Sequence, residues 1–196
     1  MSSTRDALIT TSIQDSIRVK QSLLEDPELL SQIKDVIQEF VTALGSGHKI
    51  LLFGNGGSAA DSQHIAAEFV GRFQMERTPL PALALTVNTS ALTGIGNDYA
   101  YENVFSRQIE ALGSAGDVAV GFSTSGKSPN VLKGLAAAKA KGLVTVALTG
   151  KYGSLLQEVS QYCLCIPSDQ TPRIQESHIL IGHIISQVTE LELFAK

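Results

Sequence analysis

Hydrophobic and polar positions follow two different periods along the chain. Residues 4–24 and 27–44 carry apolar side chains at helical spacing, which predicts an amino-terminal pair of amphipathic helices. Between them, Asp26 is a predicted helix cap and Pro27 a first-turn residue. Beyond residue 48, short runs that are apolar throughout alternate with longer helical stretches. The predicted strands are KILLF, PALAL, DVAVGF, VTVAL and YCLCI.

Uninterrupted apolar strands that alternate with helices are typical of a parallel sheet covered on both faces. We therefore predict a doubly wound, five-stranded parallel α/β fold flanked by helices, with an amino-terminal helical hairpin. One helix is expected from Ser58 to about Phe73, and another in the second half of NTSALTGIGNDYAYENVF. A third is expected to follow the loop of residues 123–130 and to end at Lys141, and a last one to run from about Pro172 to Phe194. No repeat or linker divides the chain, so residues 1–196 are expected to form a single domain.

Composition narrows the possible partners. The chain has 196 residues, 43% hydrophobic and 17% charged, and a net charge of −4 with no basic block, which argues against nucleic-acid binding. The sequence has no run of 18 apolar residues, so no membrane span is predicted. The amino terminus lacks the apolar core of a secretory signal. Cys163 and Cys165 should point to the same sheet face, a poor geometry for a disulfide. We expect buried, reduced thiols and a cytoplasmic protein.

Two polar loops follow predicted strands, at the sheet edge where such folds bind ligands. One spans residues 123–130 and offers hydroxyl groups before a helix, with Ser128 as its expected cap and Pro129 in its first turn. Free backbone amides and the helix dipole could hold a phosphate there. An ordinary polar turn is the alternative. The hydroxyl residues are Ser123, Thr124, Ser125 and Ser128.

The other loop is the glycine turn GNGGSAA. It permits close approach of a ligand to the backbone, and Asn55 adds an amide. Ser58 with Asp61 resembles a helix-capping pair. Gly54, Gly56 and Ala59 also fit a loose dinucleotide-binding pattern, but the second strand is followed by no acidic residue to bind a ribose. A nicotinamide-dependent oxidoreductase is therefore a weak alternative.

Two helices carry candidate metal ligands. His64 and Glu68 are four positions apart, about 40° from each other on one helical face. On the last helix, His183 falls opposite an expected core face of Ile174, Ile181, Ile184, Ile185 and Val188, whereas His178 lies at its margin and is expected to be packed. If the helices meet, His64, Glu68, Gln175 and His183 could form a divalent-metal pocket. A solvated polar face is the alternative.

Five blocks, in order, resemble phosphoheptose isomerases of the SIS domain superfamily. They are GNGGSAADSQHIAAEFVGRF, GNDYAYENVFSRQ, STSGKSPN, ALTG and TPRIQESHILIGH. The resemblance implies a cytoplasmic homotetramer with active sites between subunits, residues 1–45 used in oligomerisation and an α/β core over residues 46–196. It also implies one zinc per subunit, held by His64, Glu68, Gln175 and His183. The implied substrate contacts are Asn55, Gly56, Gly57, Glu68, Asn97, Asp98, Ser123, Thr124, Ser125, Ser128 and Gln175.

The implied activity converts sedoheptulose 7-phosphate to D-glycero-D-manno-heptose 7-phosphate, the first step towards the ADP-heptose of lipopolysaccharide core. Our hypothesis is that Glu68 removes the carbon-bound proton and His183 transfers protons on the oxygens. Because Glu68 cannot be a tight ligand and a free base together, its metal contact would loosen, or the metal would be chiefly structural. Asn88 and Gln170 depart from acidic residues common in the family.

Two non-catalytic readings remain open. Related SIS proteins bind the replication initiator DnaA, and others sense phosphosugars without turnover. This chain keeps RIQE and the later His183, which favours an enzyme.

Overall fold

The computed structural model describes residues 2–195 and contains a five-stranded, all-parallel sheet. The strand order is β2-β1-β3-β4-β5, which confirms the predicted fold class. Gly54 at the end of β1 pairs with Phe122, and Ser123 at the end of β3 pairs with Thr149. The central strands therefore end at one edge of the sheet. The strands are β1 Ile50–Gly54, β2 Ala82–Ala84, β3 Val118–Ser123, β4 Val144–Gly150 and β5 Tyr162–Ile166.

Helices cover both faces of the sheet. Their bounds are α1 Ser2–Leu24, α2 Pro27–Gly45, α3 Gly57–Val70, α4 Thr89–Tyr99, α5 Ser106–Leu112, α6 Pro129–Ala140, α7 Ser154–Val159 and α8 Thr171–Phe194. Alternate residues of β1 enter different cores: Leu52 packs in the cluster that contains Phe69 of α3 and Ile181 of α8, whereas Phe53 packs with Leu135 of α6. This alternation places α3 and α8 in the same layer.

The segment between β2 and β3 differs from the prediction. Its first half, not its second, forms the longer helix, because the Asn88 side chain caps α4 by accepting a hydrogen bond from Ala91 N at 3.0 Å. The helix ends at Ala100, whose φ of 73° is left-handed. A 3-10 turn over Tyr101–Asn103 and the short α5 follow. Helix α7 was not predicted, and α3 ends at Val70 instead of near Phe73.

The amino-terminal hairpin forms as predicted, with its second helix capped by Asp26. The Asp26 carboxylate accepts hydrogen bonds from Glu28 N at 3.1 Å and Leu29 N at 3.0 Å. Helix α2 buries one face, but α1 leaves a stripe of large apolar side chains 57–63% exposed. The stripe consists of Leu8, Ile9, Ile13 and Ile17.

Helix α8 buries Ile174, Ile181 and Ile185, as predicted. Ile184 is 36% exposed, because it lies too far round the helix to reach the sheet. His178 is fully buried and its ring lies 6.1 Å from that of Phe122, which confirms the expectation of a packed histidine.

The two cysteines are half-buried and free, not fully buried as predicted. Their sulphur atoms lie 3.7 Å apart on strand β5, on the same side of it. Residues 2–195 contain no helix with the length and apolar character that a membrane span needs.

Candidate active site

The glycine turn joins β1 to α3. Gly56 precedes the helix with φ of 56°, a conformation that glycine adopts without strain. The helix begins at Gly57, so Ser58 lies inside its first turn, and the expected Ser58–Asp61 cap does not form. Among residues 2–195, no side chain caps this helix start, and the backbone amides of Ser58 and Ala59 donate to the carbonyls of Asn55 and Gly56, each at 3.0 Å. The positive end of the helix dipole still faces a ligand bound at the turn.

Three of the four predicted metal ligands meet between α3 and α8. His64 Nε2 lies 2.9 Å from His183 Nε2 and 3.0 Å from Glu68 Oε1. The ligand atoms of these three residues all lie within 4.8 Å of one another. The His183 ring meets His64 edge-on at 5.1 Å, and the ring of Phe73 stacks against it at 5.6 Å.

The donor set of this cluster suits a divalent metal ion. Two imidazole nitrogens and a carboxylate oxygen are ligands that zinc accepts, and tetrahedral bonds of about 2.1 Å separate neighbouring ligand atoms by about 3.4 Å. The observed separations of 2.9 and 3.0 Å need only a small spread to reach that value. The cluster can therefore hold a metal and still offer open coordination positions.

Gln175 lies beside the cluster, against the start of α3. Its Nε2 donates to Asp61 Oδ1 at 3.4 Å, and its amide occupies the space that a side chain at Gly57 would need. Its predicted metal contact stays a prediction, and its observed partners are Asp61 and Gly57.

Asp61 is a site residue that sequence reasoning took only for a cap. It is 7% exposed, and its Oδ2 is buried without a hydrogen-bond partner in the part of the chain that the structure describes. Burial raises the pKa of Asp61, although the hydrogen bond from Gln175 and the charges of His64 and His183 oppose this. Its position, one turn before His64, is the sequence signal that could have identified it.

The hydroxyl loop follows β3 as predicted, but its internal bonding differs. Ser128 occupies the cap position of α6 without capping it, because its hydroxyl lies 2.9 Å from the Ser123 hydroxyl. Ser123 is buried, whereas Thr124 is half-buried and Ser125 exposed. In the part of the chain that the structure describes, no side chain caps the start of α6, where Pro129 has no N–H and Val131 N donates to the Ser128 carbonyl at 3.1 Å. The loop hydroxyl groups therefore lie next to the positive end of the helix dipole. This arrangement can bind a phosphate.

An amide pair joins the glycine turn to the hydroxyl loop. Asn55 Nδ2 donates to Asn130 Oδ1 at 2.9 Å, and Asn130 Nδ2 donates to Asn55 Oδ1 at 2.8 Å. The Tyr101 hydroxyl lies 3.4 Å from the same Asn55 oxygen. Asn130 is only 3% exposed and was missed because its partner is distant in sequence.

Asn97 and Asp98 are exposed on α4 and contact each other, with Asn97 Nδ2 donating to Asp98 Oδ1 at 2.8 Å. The structure does not bring them against the histidine cluster. Their contact with substrate stays a prediction.

Comparisons with known proteins agree with these features. The SIS domain family matches residues 15–150. The phosphoheptose isomerase of Aneurinibacillus thermoaerophilus is 53% identical over 186 residues, covering 95% of this chain and 94% of the relative. The phosphoheptose isomerase 2 of Campylobacter jejuni is 53% identical over 182 residues, covering 93% of this chain and 90% of the relative. The chain belongs to the phosphoheptose isomerase family.

Solved structures of the family share its architecture. The phosphoheptose isomerase of Neisseria gonorrhoeae superposes with a TM-score of 0.88 at 41% identity, covering 94% of this chain and 98% of that one. The Francisella tularensis enzyme gives a TM-score of 0.88 at 34% identity, covering 96% and 98%. This family member is therefore an isomerase of carbohydrate metabolism, and the DnaA-binding alternative receives no support from these relatives.

Proposed function

We propose that the protein interconverts sedoheptulose 7-phosphate and D-glycero-D-manno-heptose 7-phosphate in heptose biosynthesis. The observation that carries the proposal is the convergence of His64, Glu68 and His183 between α3 and α8. It supplies a carboxylate and two imidazoles for proton transfer, next to loops suited to a sugar phosphate.

Glu68 is the proposed base that removes the carbon-bound proton. Its contact with His64 uses Oε1, while Oε2 makes no hydrogen bond with the described residues and is free to accept a proton. His183 is the proposed acid and base for the two substrate oxygens, since a neutral imidazole can donate or accept. The isomerisation then transfers a proton between C1 and C2 through an enediol or enediolate intermediate of the sugar.

Zinc, one ion per subunit, is the proposed cofactor. His64, Glu68 and His183 would hold it, and Gln175 would join them through its amide oxygen while its amide nitrogen donates to Asp61. When bound, zinc supplies Lewis-acid polarisation of the substrate carbonyl. A Glu68 that also contacted the metal would have to loosen that contact to act as a base, unless the metal is chiefly structural.

The 7-phosphate is proposed to bind at the hydroxyl loop, through Ser123, Thr124, Ser125 and Ser128. Asn55, Gly56, Gly57, Gln175, Asn97 and Asp98 would contact the rest of the sugar. Holding the phosphate fixes the far end of an extended substrate, so that binding energy orients the reacting carbons.

The proposed assembly is a homotetramer, and the proposed location is the cytoplasm. The exposed stripe of α1 supports the assembly, as does α4, in which no residue is buried. Apolar stripes of this kind mark protein interfaces. Residues 1–45 would thus serve oligomerisation and residues 46–196 would form the α/β core of a single SIS domain.

The direct test is turnover of sedoheptulose 7-phosphate by the purified protein, with zinc measured in the same sample. Glu68→Gln should abolish isomerisation, and a circular dichroism spectrum like that of the wild type would show that the fold is kept. Retained turnover would remove Glu68 as the base, and no turnover by the wild type would refute the proposed activity.

A further inference from the structure

The segment that follows α3 is fixed to α8 by one buried acid. Glu190 Oε1 accepts a hydrogen bond from Phe73 N at 3.1 Å, and Oε2 accepts from Gln74 N at 2.7 Å and Met75 N at 2.9 Å. Arg77 Nε donates to Oε1 at 2.9 Å. Each carboxylate oxygen of Glu190 therefore holds two donors.

The pair of Glu190 and Arg77 is buried, with both side chains 1% exposed. Burial alone would raise the pKa of Glu190, but the hydrogen bonds from Gln74, Phe73, Met75 and Arg77 outweigh it, so the pKa is lowered. The four donors therefore stabilise the ionised carboxylate of Glu190.

Arg77 also binds the end of α3, the helix that carries Glu68. Its Nη2 donates to the Glu68 carbonyl at 2.7 Å, and its Nη1 donates to the Phe69 carbonyl at 2.8 Å. These are among the carbonyls that a helix end leaves without partners inside the helix. The ion pair thereby links the two helices that supply the histidine cluster.

Phe73 connects the anchored segment to the active site through its contact with His183. Glu190 follows His183 by seven residues, which is about two turns and about 10 Å along the same face of α8. The anchored backbone therefore runs along this face towards His183, and the Phe73 ring stacks on the imidazole with an angle of 23° between the rings. One face of the imidazole is against Phe73, and its Nε2 is directed at His64.

We infer that Phe73, held by Glu190, is a positioning residue that fixes the ring of His183 in the orientation needed for metal binding and proton transfer. The inference rests on the proposed function for the role of His183. The Phe73 ring limits rotation of the His183 imidazole away from the cluster. A small misplacement of a catalytic group costs up to about a hundredfold in rate.

The test compares Phe73→Leu, which removes the flat ring, with Phe73→Tyr, which keeps it. Met75→Ala is the matched control, since Met75 shares the Glu190 anchor but its ring-less side chain makes no stacking contact with His183. Each variant is loaded with Co²⁺ in place of zinc, and its visible spectrum and Co²⁺ dissociation constant are measured. Steady-state kcat, KM and melting temperature are measured on the zinc-loaded protein.

We expect Phe73→Leu to change the Co²⁺ spectrum, to weaken Co²⁺ binding about tenfold and to lower kcat by tenfold or more, with KM within about twofold. Phe73→Tyr and Met75→Ala should match the wild type. Wild-type behaviour of Phe73→Leu would overturn the inference, as would equal losses in Met75→Ala or a wild type that binds no Co²⁺. Because the Co²⁺ readout needs no substrate, failure of the proposed reaction would be recognised separately.

Discussion

Asn55 and Asn130 exchange two hydrogen bonds through their side-chain amides, at 2.9 and 2.8 Å. The pair joins the glycine turn after β1 to the start of α6, so the two loops that flank the expected substrate are fixed relative to each other. From Asn55 the chain leads to Gly57, against which Gln175 packs, and Gln175 contacts Asp61 beside the histidine cluster. The hydroxyl loop and the histidine cluster are thus connected through the Asn55–Asn130 pair, the glycine turn and the Gln175 amide.

Removing this connection should weaken substrate binding. In Asn130→Ala, Asn55 loses both of its hydrogen bonds with Asn130, at a cost of about 1–3 kcal/mol for the unsatisfied buried groups. We expect KM for sedoheptulose 7-phosphate to rise about tenfold, with a smaller fall in kcat. Initial-rate kinetics measure both constants. Inorganic phosphate, tested as an inhibitor, should also bind more weakly; an unchanged KM and phosphate inhibition would contradict the proposed coupling of the loops.

Gly57→Ala should displace Gln175 without disturbing the fold. A Cβ at this position would lie 2.6 Å from Gln175 Oε1, and the amide is the flexible end of a long side chain that can move away. The φ of Gly57 is not left-handed, and alanine favours helices, so stability should hold or rise by up to about 1 kcal/mol.

We expect kcat/KM of Gly57→Ala to fall at least about tenfold, because the predicted ligand and substrate contact is lost. Gly45→Ala is the matched control, since its Cβ would meet only Leu193 at an ordinary 3.6 Å. Equal activity of the two variants, at equal melting temperature, would show that the position of Gln175 is unimportant.

Asp61 should govern metal affinity through Gln175. Its carboxylate accepts from the Gln175 amide nitrogen, which fixes the direction of the amide oxygen. Asp61→Asn keeps the size but loses the charge that faces His64 and His183, so zinc affinity should fall about 10–100-fold. Competition with a chromophoric chelator measures this. A zinc affinity unchanged by Asp61→Asn would rule out the role.

The fold and much of the site follow from local sequence patterns. The apolar strands, the Asp26 cap and the four-residue spacing of His64 and Glu68 each depend on neighbours within one turn or one strand, which the sequence displays directly. The opposite faces assigned to His183 and Ile181 also depend only on the helical period. These features could therefore be predicted.

Other features depend on which elements meet, and the sequence does not show this. The Ser128 hydroxyl bonds with Ser123 instead of capping α6, because the closing of the loop brings the two hydroxyls together. Asp61 becomes a site residue only because α8 places Gln175 against α3. Local capping signals therefore pointed to the wrong partner for both Ser128 and Asp61.

The buried His178 should make stability depend on pH. Burial lowers its pKa from 6.5 to about 4 in the folded protein. Between these values the unfolded chain binds a proton that the folded protein does not, so the stabilisation is complete above pH 6.5 and is lost as the pH falls towards 4. From pH 7.5 to 5.0 this group should remove about 2 kcal/mol from the free energy of unfolding.

Urea unfolding at fixed protein concentration, in the presence of a chelator, measures this pH dependence. His178→Gln replaces the titrating ring with a neutral side chain, so the variant should lose about 2 kcal/mol less than the wild type between the two pH values. The remaining histidines contribute equally to both proteins and cancel in the comparison. The absolute stability of His178→Gln is expected to be lower at pH 7.5, since the packing against Phe122 changes, but only the difference between the two pH responses bears on the titration. Identical pH responses would mean that His178 already takes up its proton in the folded state near pH 6.5, or that the ring is reached by water.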